Sequence, residues 1–293
     1  AITGAYLSSN QTNSFIGFYY NTIYINAQST ATNFGTTGIL HVANNTSTTG
    51  LLDMRNNIIV NTSEAKGNNS YTSVLKRNNY YLENFSEASN NNILYAGEPG
   101  QKNVIYLYSN ITFKTIDDYK AHVAPRESNS FSEDTPFVNT TTIPFDLHLK
   151  TNVPTLAEGG GQQINTPIAI TVDYDGNPRS GTNPDIGADE FDGISNFLED
   201  PVSFTAIALD SQSIKLEFEL NADSDDVVII FNSSGNFTQP EGEPITGQQL
   251  ANGEVLYIGK TSPVIHSGVI LNQTVHYRAF SYTGATYSQG LAA

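Results

Sequence analysis

The 293-residue chain has no cysteine, no tryptophan and a single methionine. Without cysteine there are no disulfides, no thiolate chemistry and no Cys-based zinc site. Basic residues are scarce as well: thirteen Lys and Arg stand against 29 Asp and Glu, for a net charge of −16. Phosphate recognition needs a basic footprint, so nucleic acid and anionic membrane are not expected partners, and a polyanionic substrate would need a local basic patch. The sequence lacks the roughly 18-residue apolar run that would span a bilayer, and no basic-then-apolar leader opens it, so membrane insertion is not expected. The five histidines (His41, His122, His148, His266, His276) include no His-x-x-x-His spacing, which argues against a transition-metal site. A start at Ala1 without Met and an abrupt end at Ala293 read as a piece of a larger polypeptide.

What the chain has in abundance is asparagine, unevenly spread: 27 in residues 1–199 and five in 200–293. The shift predicts two domains, 1–197 and 198–293, joined near "FDGISNFLEDPVSFTA", where Gly193, Asp200 and Pro201 punctuate the chain. In the first domain short runs rich in Val, Ile, Tyr and Thr sit beside asparagines: "NTIYIN", "ILHVANN", "LLDMRNNIIVN", "VLKRNNYYL", "NNNILYA" and "NVIYLYSN". These residues favour strands, and Asn tolerates the left-handed backbone of a tight bend. The Asn pairs at 56–57 and 78–79 suggest a repeat near 20 residues, and hence a coiled parallel sheet whose asparagines form a ladder at one corner. The expected fold is therefore all-β: a right-handed parallel β-helix, with an antiparallel sandwich as the competing architecture. One helix is predicted in "TIDDYKAHVAPRES", with Thr115 as cap and Pro125 as terminator.

The second domain holds six alternating runs, "VSFTAIAL", "SIKLEFEL", "DVVIIFN", "EVLYIG", "SPVIHSGVI" and "TVHYRAFSY", which predict a β-sandwich. Leu271 and Tyr277 match the Leu and Tyr of a fibronectin type III tyrosine corner, and Phe218 takes the core position where such domains carry Trp.

In order along the chain, "YYNTIYIN", "DMRNNIIVNTS", "NNNILYAGEPG", "YKAHVAPRES", "FVNTTTIPFDLHL" and "VDYDGNPRSGTNPDIGADEF" resemble a group of secreted β-helix proteins of Bacteroidetes-type bacteria, within the pectin-lyase-like superfamily. "DDVVIIFN", "GEVLYIG", "VHYRAFSY" and "YSQGLAA" resemble the fibronectin type III-like module that follows in that group. The resemblance implies a protein secreted or displayed on the cell surface, dependent on a secretion or anchoring machinery of the type IX kind. It implies no reaction, because β-helices serve lyases, hydrolases and non-catalytic adhesins alike.

Candidate sites follow from residue chemistry. A calcium-type polysaccharide lyase needs clustered carboxylates and a basic residue as proton acceptor; Arg55 and Arg77 each precede an Asn pair and would stack on successive coils, with Asp53 nearby. The competing reading is that they are solvated strand ends. A glycoside hydrolase needs two carboxylates across a groove, for which Asp117, Asp118, Glu133 and Asp134 are available, although a helix N-terminus explains the first two. The tandem pairs Tyr19–Tyr20 and Tyr80–Tyr81 would each send one ring outward from a strand, where it could stack on a polysaccharide or surface glycan. The stretch "DYDGNPRSGTNPDIGADEF" offers Asp173, Asp175, Asn177, Asp185 and Asp189 as a non-EF-hand Ca²⁺ site. Its other reading is a fold terminus, with strand "IAITV", turn "DGNP" and terminal strand "DIGADEF". Adhesion or glycan binding is the expected role, with a β-helix lyase or hydrolase and a purely structural stalk as alternatives.

Overall fold

The computed structural model describes residues 1–43, 49–240, 242–284 and 286–293, and divides into two compact units, Ala1–Asn196 and Phe197–Ala293. In the first unit the strands recur in coils. The first coil contributes β1 (Ile2–Ser9), β2 (Phe15–Tyr19) and β3 (Thr22–Ile25); the second β4 (Thr36–Ala43), β5 (Leu51–Arg55) and β6 (Ile58–Asn61). The third contributes β7 (Thr72–Arg77) and β8 (Ile93–Tyr95), and a fourth begins with β9 (Asn103–Tyr108), from which β10 (Ile111–Phe113) turns back. Coils stack in parallel as β1–β4–β7–β9, β2–β5 and β3–β6–β8, which is a parallel β-helix. Between the second and third coils the middle face keeps, among the described residues, single bridges from Leu52 to Phe85 and from Arg55 to Asn90.

The coil repeat differs from the one expected. Asn21 bonds Asn57 36 residues on, Asn57 bonds Asn92 35 residues on, and Asn92 bonds Glu127 35 further. The pairs at 56–57 and 78–79 are not equivalent positions: the first follows β5 and the second follows β7, two corners of different faces. The expected ladder exists on the longer repeat. The residue before each rung, Tyr20, Asn56 and Asn91, takes a left-handed backbone (φ 53, 56 and 54°), so each rung's amide is aimed along the stack.

Apolar side chains from the faces meet inside the coils, among them Ile39, Leu52, Met54, Ile59, Leu75 and Tyr106. Each such buried aliphatic contributes roughly 1.5–3 kcal/mol before entropy is counted. Gly38 lets two faces approach: a Cβ there would lie 2.5 Å from Ile59 Cγ2 and 2.7 Å from the Val74 carbonyl. The helix α1 (Ile116–Val123) is where the capping pattern places it, with Thr115 Oγ1 accepting from the Asp118 amide at 3.1 Å. Its buried Tyr119 and Val123 join the interior cluster and close that end of the core.

The chain then returns along the outside of the coils. After β11 (Phe137–Asn139), β12 (Asp146–Leu149) and β13 (Pro154–Thr155), the stretch before β14 (Ile194–Ser195) is irregular, so the strands expected over "IAITV" and "DIGADEF" do not form. The tight turn does form, with Gly176 at φ +90°. Gly187 (φ +105°) packs against the β3–β6 face, where a Cβ would meet Ile58 Cδ1 at 2.6 Å.

The second unit is an antiparallel sandwich. One sheet orders β15 (Ser203–Ala208), β16 (Ser213–Glu219) and, later in the chain, a third strand after β17 (Asp226–Asn232), β18 (Gln249–Leu250) and β19 (Gly253–Gly259), namely β20 (Val264–Ser267). The other orders β18–β19–β17 against β21 (His276–Thr283), whose edge takes β22 (Thr286–Tyr287) and β23 (Leu291–Ala292). Three strands facing four principal ones, with β20 crossing back to the first sheet, is the fibronectin type III-like arrangement. Phe218 is in the core with Phe204, Leu216 and Val227, as expected. The tyrosine corner is not: Leu271 is 62% exposed, and the Tyr277 hydroxyl and His266 Nδ1 share a hydrogen bond at 2.8 Å.

Candidate functional site

The first unit holds two adjoining clefts. One, of about 540 Å³, is lined by Tyr19, Ile170, Asp173 and Arg179; the other, of about 720 Å³, by Phe145, Asp146, His148, Asp175 and Asp189. Thr22, Tyr174 and Ala188 line both, so the two form one groove with Tyr174 at its centre. The Tyr174 ring is 85% exposed, and Phe145 is partly exposed while meeting Tyr24 edge-on at 5.7 Å.

The groove wall is built by the carboxylate-rich stretch, whose side chains bind main chain. Asp173 accepts from the amides of Asp175, Asn177 and Glu190 at 2.7–3.0 Å and from Asn177 Nδ2 at 3.1 Å. Burial raises its pKa, but these donors outweigh burial and the net shift is downward. Asp185 accepts from the amides of Gly159 (2.7 Å) and Phe191 (2.8 Å), and burial lifts it to about 7. Arg179 is a clamp: its guanidinium lies 3.9 Å over the Tyr20 ring, pairs with Glu190 at 3.1 Å and donates to the Gly187 and Ala188 carbonyls. The turn is thereby pinned and presents Tyr174 and Asp175 outward.

Of the five residues assigned to calcium, Asp173, Asn177 and Asp185 are thus occupied by hydrogen bonds to neighbouring chain, Asp173 while lining the first cleft, and Asp175 and Asp189 line the second. They do not form one oxygen cage. What they face is His148, whose Nε2–H donates to Asp175 at 2.9 Å while Nδ1–H donates to Asp146 at 2.5 Å. Asp175, then Asp146, raise the His148 pKa to about 9, so the imidazolium persists at neutral pH. Asp189 accepts from the Leu149 amide at 3.3 Å. Sequence reasoning missed Asp146, His148, Tyr174 and Arg179. The signal for the first two is the Asp-x-His spacing on a strand, which puts both side chains on one face.

The arginines stay apart. Arg55 is on the second face of the coil and Arg77 on the first, paired with His41 and Tyr108, so the stacked lyase constellation is corrected: the residues do not meet. Arg55 forks onto Asp53 at 2.6 and 3.0 Å, and Asp53 also accepts from the Tyr19 hydroxyl at 2.7 Å. Burial, then the bond to Asp53, pushes Tyr19 up to about 12. Arg77 points into the coil, 1% exposed, donating to His41 Nδ1, the Tyr81 carbonyl and Asn84 Oδ1. His41 donates from its other ring nitrogen, Nε2–H, to the Gly50 carbonyl, and burial, then Arg77, lowers its pKa to about 4.

The tyrosine pairs do not form a stripe. Tyr20 is buried under Arg179, Tyr19 is tied to Asp53, and Tyr80 and Tyr81, outside any strand, stack on each other at 4.3 Å. Asp117 and Asp118 lie in the first turn of α1, and Glu133 accepts from Thr155 Oγ1 and the Leu156 amide.

No helix is long and apolar enough to cross a membrane among the described residues. No family model and no curated protein matches the sequence. Among solved structures, the chain is similar to the fibronectin type III domain FN3tt (11% identity, covering 32% of this chain and 88% of that one, TM-score 0.25). It is also similar to the FN3 domain of human collagen XX (13%, 33% and 88%, TM-score 0.25) and the FN5 domain of Drosophila Lar (14%, 32% and 91%, TM-score 0.22). At such scores the sandwich assignment stands on its strand order alone.

Proposed function

We propose that this chain is part of a secreted, cell-surface protein of the Bacteroidetes-type, pectin-lyase-like group, exported by a type IX pathway, whose β-helix groove binds glycans in an adhesive role while the sandwich acts as spacer. The observation that carries the reading is the exposed Tyr174 ring, fixed on a rigid turn and flanked by Asp146, His148, Asp175 and Asp189 in one cleft. An aromatic face stacks on the apolar face of a sugar ring, and carboxylates accept from its hydroxyls. Three carboxylates against one imidazolium disfavour uronic acids, so the ligand class is a neutral polysaccharide. The lyase alternative loses its support from Arg55 and Arg77, which sit on different faces, one bound to Asp53 and one buried.

The test is calorimetry of the full chain against neutral glucans, mannans, galactans and xylans, with polygalacturonate as the acidic comparison. Saturable binding of a neutral glycan at Kd about 1 mM or tighter, a free energy of roughly −4 kcal/mol, and its loss in Tyr174→Ala support the reading. Binding to none of them, preference for polygalacturonate, or release of new chain ends that Asp175→Asn abolishes would overturn it.

A further inference from the structure

The side chains around His148 form more than an acidic rim. Asp146 and His148 stand two apart on β12, and the Asp146 carboxylate accepts both the His148 amide (3.1 Å) and its Nδ1–H (2.5 Å). The ring is therefore oriented from behind, with Nε2 turned toward Asp175, which the pinned turn delivers from 27 residues downstream. Asp189 arrives from a third segment and is held by the Leu149 amide. One ligand atom each from His148, Asp175 and Asp189 lie within 4.8 Å of one another. All three line the 720 Å³ cleft, so its interior supplies room for water or a further ligand.

We propose that His148, Asp175 and Asp189 bind a divalent transition-metal ion, with Asp146 as the outer carboxylate that positions the imidazole. One imidazole with two carboxylates suits Zn²⁺ or Mn²⁺, whereas Ca²⁺ takes oxygen ligands and gains nothing from the ring. A carboxylate behind the ligating histidine fixes the ring and strengthens it as a donor. Three protein ligands leave coordination positions open to the cleft. On binding, the ion takes the Nε2 lone pair and the proton now shared with Asp175 leaves to solvent. The site stands whether or not the groove binds sugar, because its ligands come from the chain alone.

The experiment is calorimetric titration of the chelator-stripped full chain with ZnCl₂, and with CaCl₂ for contrast, on wild type, His148→Gln, Asp189→Asn and Asp146→Asn. The proposal expects one Zn²⁺ per chain and a loss of affinity beyond about tenfold in the two ligand variants. It expects a loss of roughly 10- to 100-fold in Asp146→Asn, as outer carboxylates give elsewhere. Selective broadening by Mn²⁺ of the His148 ring signals in wild-type NMR spectra keeps the test open should a variant fail to fold. No saturable Zn²⁺ binding, equal affinity in wild type and ligand variants, or Mn²⁺ broadening centred on another histidine would overturn it.

Discussion

Replacing Glu127 by glutamine isolates one charge at the end of the asparagine ladder. Glu127 is fully buried; Oε2 accepts from Asn92 Nδ2 at 2.8 Å and from the Ser130 hydroxyl, and Oε1 faces the Tyr119 hydroxyl at 3.4 Å. Burial raises its pKa from the usual 4.5 to about 7, against the opposing pull of Ser130 and Asn92. The folded chain therefore holds a proton that the unfolded chain has released between these two values. Its stabilising contribution is complete below pH 4.5 and is lost as the pH rises through 7. At about 1.4 kcal/mol per unit over roughly two and a half units, the loss is about 3 kcal/mol. Glutamine has no such equilibrium. It can place its carbonyl where Oε2 stands and its amide against Tyr119, whose hydroxyl turns to accept, so the substitution keeps the packing and removes the pH term. Hydrogen exchange at the β6 and β8 amides reads this unit alone, at pH 5 and at pH 8. Corrected for intrinsic exchange, wild type should lose about 2.5 kcal/mol relative to Glu127→Gln between the two, since a small part is already lost at pH 5. Parallel profiles would refute a neutral, buried carboxyl as the ladder's terminus.

Four further outcomes follow from the same geometry. Arg77→Ala empties a core position and strands the Tyr81 carbonyl and Asn84, so thermal melts should register a loss of about 3–5 kcal/mol; a loss under 1 kcal/mol contradicts the burial. Gly38→Ala drives a methyl into Ile59 and the Val74 carbonyl and should cost about 1–3 kcal/mol by denaturant titration; a neutral result would mean that the faces separate freely. The His41 ring, held neutral by burial and then by Arg77 against the opposing pull of the Gly50 carbonyl, contributes stability above pH 6.5 that is lost as the pH falls through about 4; an NMR titration midpoint at 6.5 rather than near 4 would negate this. Asp173→Ala removes acceptors worth roughly 1.5–3 kcal/mol each and frees the turn that carries Tyr174, so it should abolish glycan binding; retained binding would show that the turn is fixed by Arg179 alone.

Much of the architecture was legible because strand-forming residues and corner asparagines are local signals. The repeat length was misread because an Asn pair after β5 and another after β7 look alike in sequence, while only the first precedes a rung of the ladder. The column of Asn21, Asn57 and Asn92 carries the true spacing, and its middle and last members sit in longer asparagine runs that hide it. "IAITV" alternates like a strand, yet lies on the outside of the coils where loop carboxylates satisfy its neighbours' amides. Asp175 and Asp189 were visible as acids. Their partner His148 was not, since 27 and 41 residues of intervening chain have no sequence signature and the contact exists only once the return segment folds back. Tyr174 carries no periodic cue either: a lone aromatic in a turn gains meaning from its exposure.

The weak middle face between the second and third coils has a mechanical consequence. A load along the coil axis is shared within each coil interface but passes through successive interfaces in series, since each coil touches only its neighbours. The first interface carries three paired faces; the second carries two, plus single bridges at Leu52 and Arg55. The third keeps one paired face, β7–β9, with a single bridge from Ile93 to Phe131, so among the described residues the paired faces fall from coil to coil and the third interface is the weaker link. At the second, the Asn57–Asn92 side-chain hydrogen bond, with Ser89 Oγ accepting from the Met54 amide, acts as the splice that holds the joint closed under tension.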